Sequence, residues 1–195
     1  MKNRANSVLG FVKRELREIT DPYCAKTLFI ALVRPITEYA CQVWSPHCGI
    51  HMARIESIQR RFLIFALRSL PWSNPFRLPS YENRLNLLNM PTLQRHRDYL
   101  RLSFITNLLN GGIDCPGLLA KLHLRINSRN LRSMDFFLTN CYRTNYGRFS
   151  PLNSMLILYN EFSDKINLNN IKDHNFKLYF LYNIIIPQTL EFNGS

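Results

Sequence analysis

Three runs between Ala5 and Leu70 repeat their apolar residues at three- and four-residue intervals, the period of a helix buried along one side. In the first, Val8, Leu9, Val12, Leu16 and Ile19 share a face; Lys13, Arg14 and Arg17 flank it on one side, Glu15 and Glu18 on the other. Asp21-Pro22 then predicts a fresh helix start, with Asp as the cap and Pro at the first helical position. The second run, YCAKTLFIALVR, meets Pro35, which ends or kinks it because proline lacks an N–H and crowds the preceding turn. ITEYACQVW reads as a continuation past that kink, closed by Ser45-Pro46. The third run, about Ile50 to Leu70, places Ile55, Ile58, Phe62, Phe65 and Ala66 on one face. Residues 1–70 are therefore expected to form a compact three-helix unit.

The rest of the chain is helical with interruptions. LPWSNPFRLPSY (70–81) holds three prolines and reads as a loop. A short helix (about 81–89) and a longer one (about 92–110) follow, and Gly111-Gly112 stops the second. Residues 71–112 thus make a loop and a helical pair. Leu93, Leu100, Phe104 and Leu108 share a face of the longer helix with Arg97 and Arg101, which are expected to reach past their neighbours to water or to line a basic groove. Residues 113–195 read as a C-terminal helical extension with irregular segments: DCPGLLAKL is a short helix and 125–153 is loop or short strand. LNSMLILYNEFSDKI and NFKLYFLYNIII are two last helices. The fold class is mainly α, a helical bundle followed by that extension.

Charge narrows the partners. The chain carries 25 Lys and Arg against 13 Asp and Glu, net +12. Residues 1–150 hold 22 against 9, giving +13; residues 151–195 hold 3 against 4, giving −1. Eighteen of the cations are Arg, whose planar fork suits bidentate contact with phosphate. A basic body of this kind fits a polyanion, foremost nucleic acid, although basic surfaces also serve solubility. On the third helix Arg54, Arg61 and Arg68 recur every seven residues, a row of roughly 21 Å. The row is a solvated border of an amphipathic helix or a line of phosphate contacts. With Lys13, Arg14 and Arg17 it makes the candidate nucleic-acid-binding set.

The start, MKNRANSVLGFVKRELREI, lacks the long apolar core of a secretory signal, and LYFLYNIII (178–186) is about half a membrane span and contains Asn183. Five cysteines without tight spacing read as reduced thiols, so a cytoplasmic or nuclear, non-secreted, non-membrane protein is expected. Cys41, His47, Cys48 and His51 suggest zinc, but only Cys48 and His51 have ligand spacing, and adjacent His47-Cys48 is awkward. No metal site is assigned. Glycine-rich phosphate loops are absent, no two aspartates are adjacent, and Asp21 and Asp114 each precede proline as caps. Neither a catalytic residue nor a cofactor is assigned. Tyr39 and Trp44 read as core with a polar edge or as base-stacking groups.

The order ANSVLGFVKR, DP, LVRPITEYACQVWSP, RIESIQRRFLIFALR resembles the region after the palm in non-LTR retrotransposon reverse transcriptases of the jockey-like kind. DCPGLL (114–119), NLRS (130–133), YRTNYG (142–147), SPLNSM (150–155) and YNEF (159–162) follow in the same order, so the likeness covers roughly residues 4–165. It implies a helical thumb that grips a template–primer duplex, then a C-terminal helical extension. The aromatic-x-Asp-Asp polymerase signature, the fingers and the palm are absent from this sequence, so a non-catalytic fragment is implied. In this family the position of Cys41 is commonly small and the nearby Cys and His positions vary, which argues against a metal. The likeness makes EYACQVWSP core: Tyr39 and Trp44 pack the thumb's kinked helix, and Glu38 pairs with a nearby Arg. Two other readings stand beside it, a helical protein-interaction module and a decayed transposon reading frame without function.

Overall fold

The computed structural model describes residues 1–68, 70, 79–125 and 135–163. Ten α-helices and one π turn order these residues, with no sheet among them: α1 (Lys2–Glu15), α2 (Pro22–Leu28), the π turn Phe29–Val33, α3 (Arg34–Glu38), α4 (Cys41–Trp44), α5 (Gly49–Ala66), α6 (Tyr81–Leu87), α7 (Leu93–Leu109), α8 (Pro116–Leu119), α9 (Asn145–Arg148) and α10 (Pro151–Ser163). The mainly helical expectation holds. Residues 71–78 of the proline-rich loop, NLRS (130–133) and the final NFKLYFLYNIII segment lie outside the described residues. The described residues pack as two compact units, Met1–Ala40 with Pro46–Arg95, and Cys41–Ser45 with the chain from His96 onward. That division falls inside α7.

The first unit is built on α1, the α2–π–α3 rod and α5. Ala5, Leu9, Val12 and Leu16 of the first run are buried at alternating four- and three-residue steps, and they meet Phe29, Ile58, Phe62 and Leu63 in one core. The Phe29 and Phe62 rings stack with centroids 4.1 Å apart. Leu85, Leu88 and Met90 of α6 and its exit complete the same core. Ile19, expected on the buried face, is instead 46% exposed, because α1 ends at Glu15 and the stripe ends with it. Asp21 caps α2 as its type predicts, accepting from the N–H groups of Tyr23 at 3.1 Å and Cys24 at 3.0 Å, with Pro22 at the first position.

The proline of the second run produces a π turn rather than a simple end. Ala25, Phe29, Val33 and Thr37 are buried at strict four-residue intervals. Four residues of α-helix turn through about 400°, so three such steps would carry this line about 120° around the rod. A π turn holds an extra residue, falls short of a full circle over four residues, and winds the drift back. It also lies just ahead of Pro35, whose ring would meet the carbonyl four residues upstream in an unbroken α-helix.

The continuation expected through ITEYACQVW is broken. Tyr39 turns extended (ψ 125°), Ala40 adopts φ +52°, and α4 is a separate turn. Tyr39 is consequently 80% exposed instead of packed in a kinked helix, and Trp44 is half-buried. Only part of EYACQVWSP is core. Cys41 is fully buried, and Glu38 is buried with its Oε1 accepting from Arg34 Nε at 2.8 Å, the pairing expected of it.

In the second unit Leu102 and Ile105 of α7 pack with Phe137 and with Met155, Leu156 and Tyr159 of α10, while α4 lies against α10. Phe137 makes one antiparallel bridge to Leu124, and the Asn160 amide completes it by accepting from the Phe137 N–H at 3.0 Å and donating to its carbonyl at 2.9 Å. α7 ends in the glycine stop its sequence predicts. Gly111 sits at φ +70°, and the Gly112 N–H returns to the Asn107 carbonyl at 2.7 Å. Arg97 and Arg101 do not reach past their neighbours. Arg97 is fully buried and Arg101 is 8% exposed, its guanidinium set 3.5 Å from Asp98 Oδ1 and 2.7 Å from Ser154 Oγ. Burial lowers the pKa of Arg101, and the Asp98 carboxylate opposes that shift.

Candidate nucleic-acid interface

The two basic flanks read from the sequence meet because α1 and α5 pack through their apolar stripes. Contacts across this seam advance in the same sense along both helices. Arg61 Nη2 donates to Asn6 Oδ1 at 2.6 Å, and farther along Arg68 Nη2 donates to the Leu16 carbonyl at 2.7 Å. The helices therefore run in the same direction, with the α2–π–α3 rod as the return. Lys13 and Arg61 come together over this seam: partial burial first, and then the Arg61 charge, holds the Lys13 pKa below the usual lysine value. Such cation crowding costs energy in the free protein, and an anion placed there relieves it.

The six predicted cations divide by what their charged ends do. Arg14, Arg17 and Arg54 are exposed, and their side chains have no partner among the described residues. Arg61 is exposed but oriented, held by Asn6 and, through Nε, by the Ser57 carbonyl at 3.3 Å. Lys13 is half-buried with Nζ 5.6 Å from the centre of the Phe65 ring, and Arg68 lies 3.9 Å from the same ring. Arg68 serves a structural end. Its Nη2 donates to the carbonyls of Leu16, Arg17 and Ile19 at 2.7, 3.3 and 3.0 Å, and its Nη1 to that of Phe65 at 2.9 Å. These include carbonyls that the end of α1 leaves open, so the third member of the arginine row is a cap for another helix. The three members of the row therefore differ in what engages their charged ends.

Sequence reasoning missed the parts that fasten this surface. Asn6 orients Arg61 from 55 positions away, and no local pattern marks it. Glu56 accepts from the Tyr81 hydroxyl and from the Leu93 N–H at the start of α7, which ties α5 to the two helices after it. Arg60, beside Arg61 in sequence, lies 4.7 Å from the Tyr81 ring centre. Lys26 donates from Nζ to the Leu88 carbonyl at 2.7 Å, a cation on the last turn of α6. Cys48 occupies the N-cap position of α5 half-buried, while His47 and His51 are exposed. Among the described residues no three His, Cys, Asp or Glu side chains gather as a metal site, and no helix is long and apolar enough to cross a membrane.

Comparison with protein-family models, with curated proteins and with solved structures found no match.

Proposed function

We propose that this chain is the C-terminal part of a non-LTR retrotransposon reverse transcriptase of the jockey-like kind, a non-catalytic thumb-type region that grips a template–primer duplex. The observation that carries this reading is the meeting of Lys13 and Arg61 over the α1–α5 seam, with Arg14 and Arg54 exposed on the same two helices and Arg17 exposed just past the end of α1. The ordered sequence blocks supply the family; the cations supply sequence-independent contact with phosphates. Its partners are an RNA or DNA duplex and the palm and fingers of the parent polymerase, in the cytoplasm or nucleus.

Duplex titrations at several salt concentrations test it. Each phosphate contact contributes about −0.9 to the slope of log K against log salt on duplex DNA. Replacing Arg14, Arg17 and Arg54 by Gln is expected to flatten the slope by up to about 2.7 units while preserving helicity. A folded variant with the parent's slope sinks the proposal. The chain alone is expected to extend no primer with magnesium and nucleotides, because its acidic residues include no adjacent pair to hold two metal ions. Template-dependent extension by a clean preparation overturns that part.

A second reading, a helical protein-interaction module, draws on another observation. Tyr23, Ile30 and Leu32 are 63%, 37% and 40% exposed along the α2–π rod. It expects no measurable duplex binding at low salt, so the same titration separates the two.

A further inference from the structure

The second unit carries exposed rings and cations in one short segment. Tyr146 is 92% exposed, Tyr142 45% and Phe149 38%. Arg143 and Arg148 are exposed between them, and the Arg148 guanidinium stands 5.6 Å from the Phe149 ring centre. From Phe136 to Phe149 the sequence holds no Asp or Glu. The segment is also held in shape. Thr144 Oγ1 accepts from the Gly147 N–H at 3.3 Å to start α9, and the buried Asn153 amide donates to the Arg148 carbonyl at 2.9 Å. The Tyr142 ring lies flush on the residue that follows Tyr146. A Cβ at Gly147 would come within 2.6 Å of that ring, so glycine is what lets the ring seat. Asn140 Nδ2 donates to the Tyr142 hydroxyl at 3.3 Å and steadies its far end.

A ring left almost wholly in water gains by being covered with a flat apolar face. Flat faces together with negative charge are what single-stranded nucleic acid offers: unstacked bases cover the rings, and phosphates meet the arginines. A duplex does not offer them, because its bases are stacked on one another. We infer that the Tyr142–Phe149 segment is a stacking platform for single-stranded RNA or DNA. The inference deepens the nucleic-acid reading proposed above but rests on different residues, so each can fail alone.

The test is fluorescence anisotropy of the full chain with a labelled single-stranded RNA of about 12 nucleotides, beside a duplex of equal length. Tyr146→Ala is expected to weaken the single strand roughly 5- to 150-fold and to leave the duplex within about two-fold, since stacking is worth about 1–3 kcal/mol per base. Tyr146→Phe, which keeps the ring, is expected to bind like the parent. The pair Arg143→Gln and Arg148→Gln is expected to reduce the single-strand salt slope by up to about 1.4 units. Tyr146 is so exposed that its loss does not endanger folding, and circular dichroism checks this. The inference is overturned if Tyr146→Ala binds the single strand as the parent does, if it weakens both ligands alike, or if the parent does not bind the single strand at low salt. The triple replacement of Arg14, Arg17 and Arg54 reports on the duplex surface independently.

Discussion

Ala40 adopts φ +52° without being glycine, at the point where α3 stops and the chain passes from one compact unit to the other. A Cβ in the left-handed region costs roughly 1–2 kcal/mol, and glycine's greater freedom when unfolded returns part of that. Ala40→Gly is expected to stabilise by about 0.5–1 kcal/mol, read as a higher urea midpoint; an unchanged or lower midpoint contradicts the strain. Arg68 poses the opposite case. Its Nη2 serves three carbonyls of the segment just past α1 and its Nη1 one on α5, so Arg68→Gln is expected to cost about 1–3 kcal/mol. Arg14→Gln is expected to stay within about 0.5 kcal/mol. If both variants unfold at the same urea concentration, Arg68 is an ordinary surface cation. The identical spacing of Arg54, Arg61 and Arg68 hid this difference, since the carbonyls that claim Arg68 lie about fifty positions earlier.

At the scale of elements, α5 follows its sequence closely because one apolar period runs unbroken through it, and Ile55, Ile58, Phe62 and Ala66 are all buried. The α2–π–α3 rod carries its irregularity in plain sight, as the four-residue recurrence of Ala25, Phe29, Val33 and Thr37 ahead of Pro35. Deleting the exposed Ala31 would leave a four-three-four spacing that an ordinary α-helix presents on one face, but would bring Pro35 against an α-helical carbonyl. The deletion is expected to destabilise by about 3 kcal/mol, and adding Pro35→Ala is expected to recover most of the loss. Chemical denaturation of the two variants checks this, and a deletion that is neutral alone shows that proline and π turn are unrelated. On α7 the sequence leaves Arg97 and Arg101 to reach water or to line a basic groove, whereas both are buried, as are Leu102, Ile105 and Leu108 of the same helix.

Across the whole molecule, pH acts on both units in the same direction at high values. Burial raises the Tyr159 pKa to about 12 in the second unit. In the first, burial and then the Glu56 carboxylate, by its charge and its hydrogen bond, raise Tyr81 well above the usual phenol range. Unfolded, each ionises near pH 10. The native chain keeps these protons longer, so their contribution is whole below about pH 10 and is lost as pH climbs toward the raised values, at up to about 1.4 kcal/mol per pH unit for each tyrosine. Lys13 and Lys26 act the other way: burial lowers both, and the cost of charging them disappears as pH approaches the unfolded lysine value. Urea midpoints are therefore expected to rise slightly up to about pH 10 and then fall steeply. Midpoints still rising near pH 11 would contradict the raised tyrosines.

Local chemistry was enough to read most of the helices, the caps at Asp21 and Gly111, and where the two basic flanks fall, because period, capping and side-chain charge act within a few residues. It was not enough to tell which cations remain free. That depends on which carbonyls, carboxylates and rings arrive from distant segments, as Asn6 arrives at Arg61, Leu16 at Arg68 and Ser154 at Arg101. The fate of Tyr39 was settled in the same way: a backbone turn at Ala40, not the side chain's own apolar character, put the ring in water. Tyr142 and Tyr146 were legible only as aromatic residues. Their exposure follows from how Gly147, Thr144 and Asn153 hold the segment, a matter of packing that no spacing along the chain records.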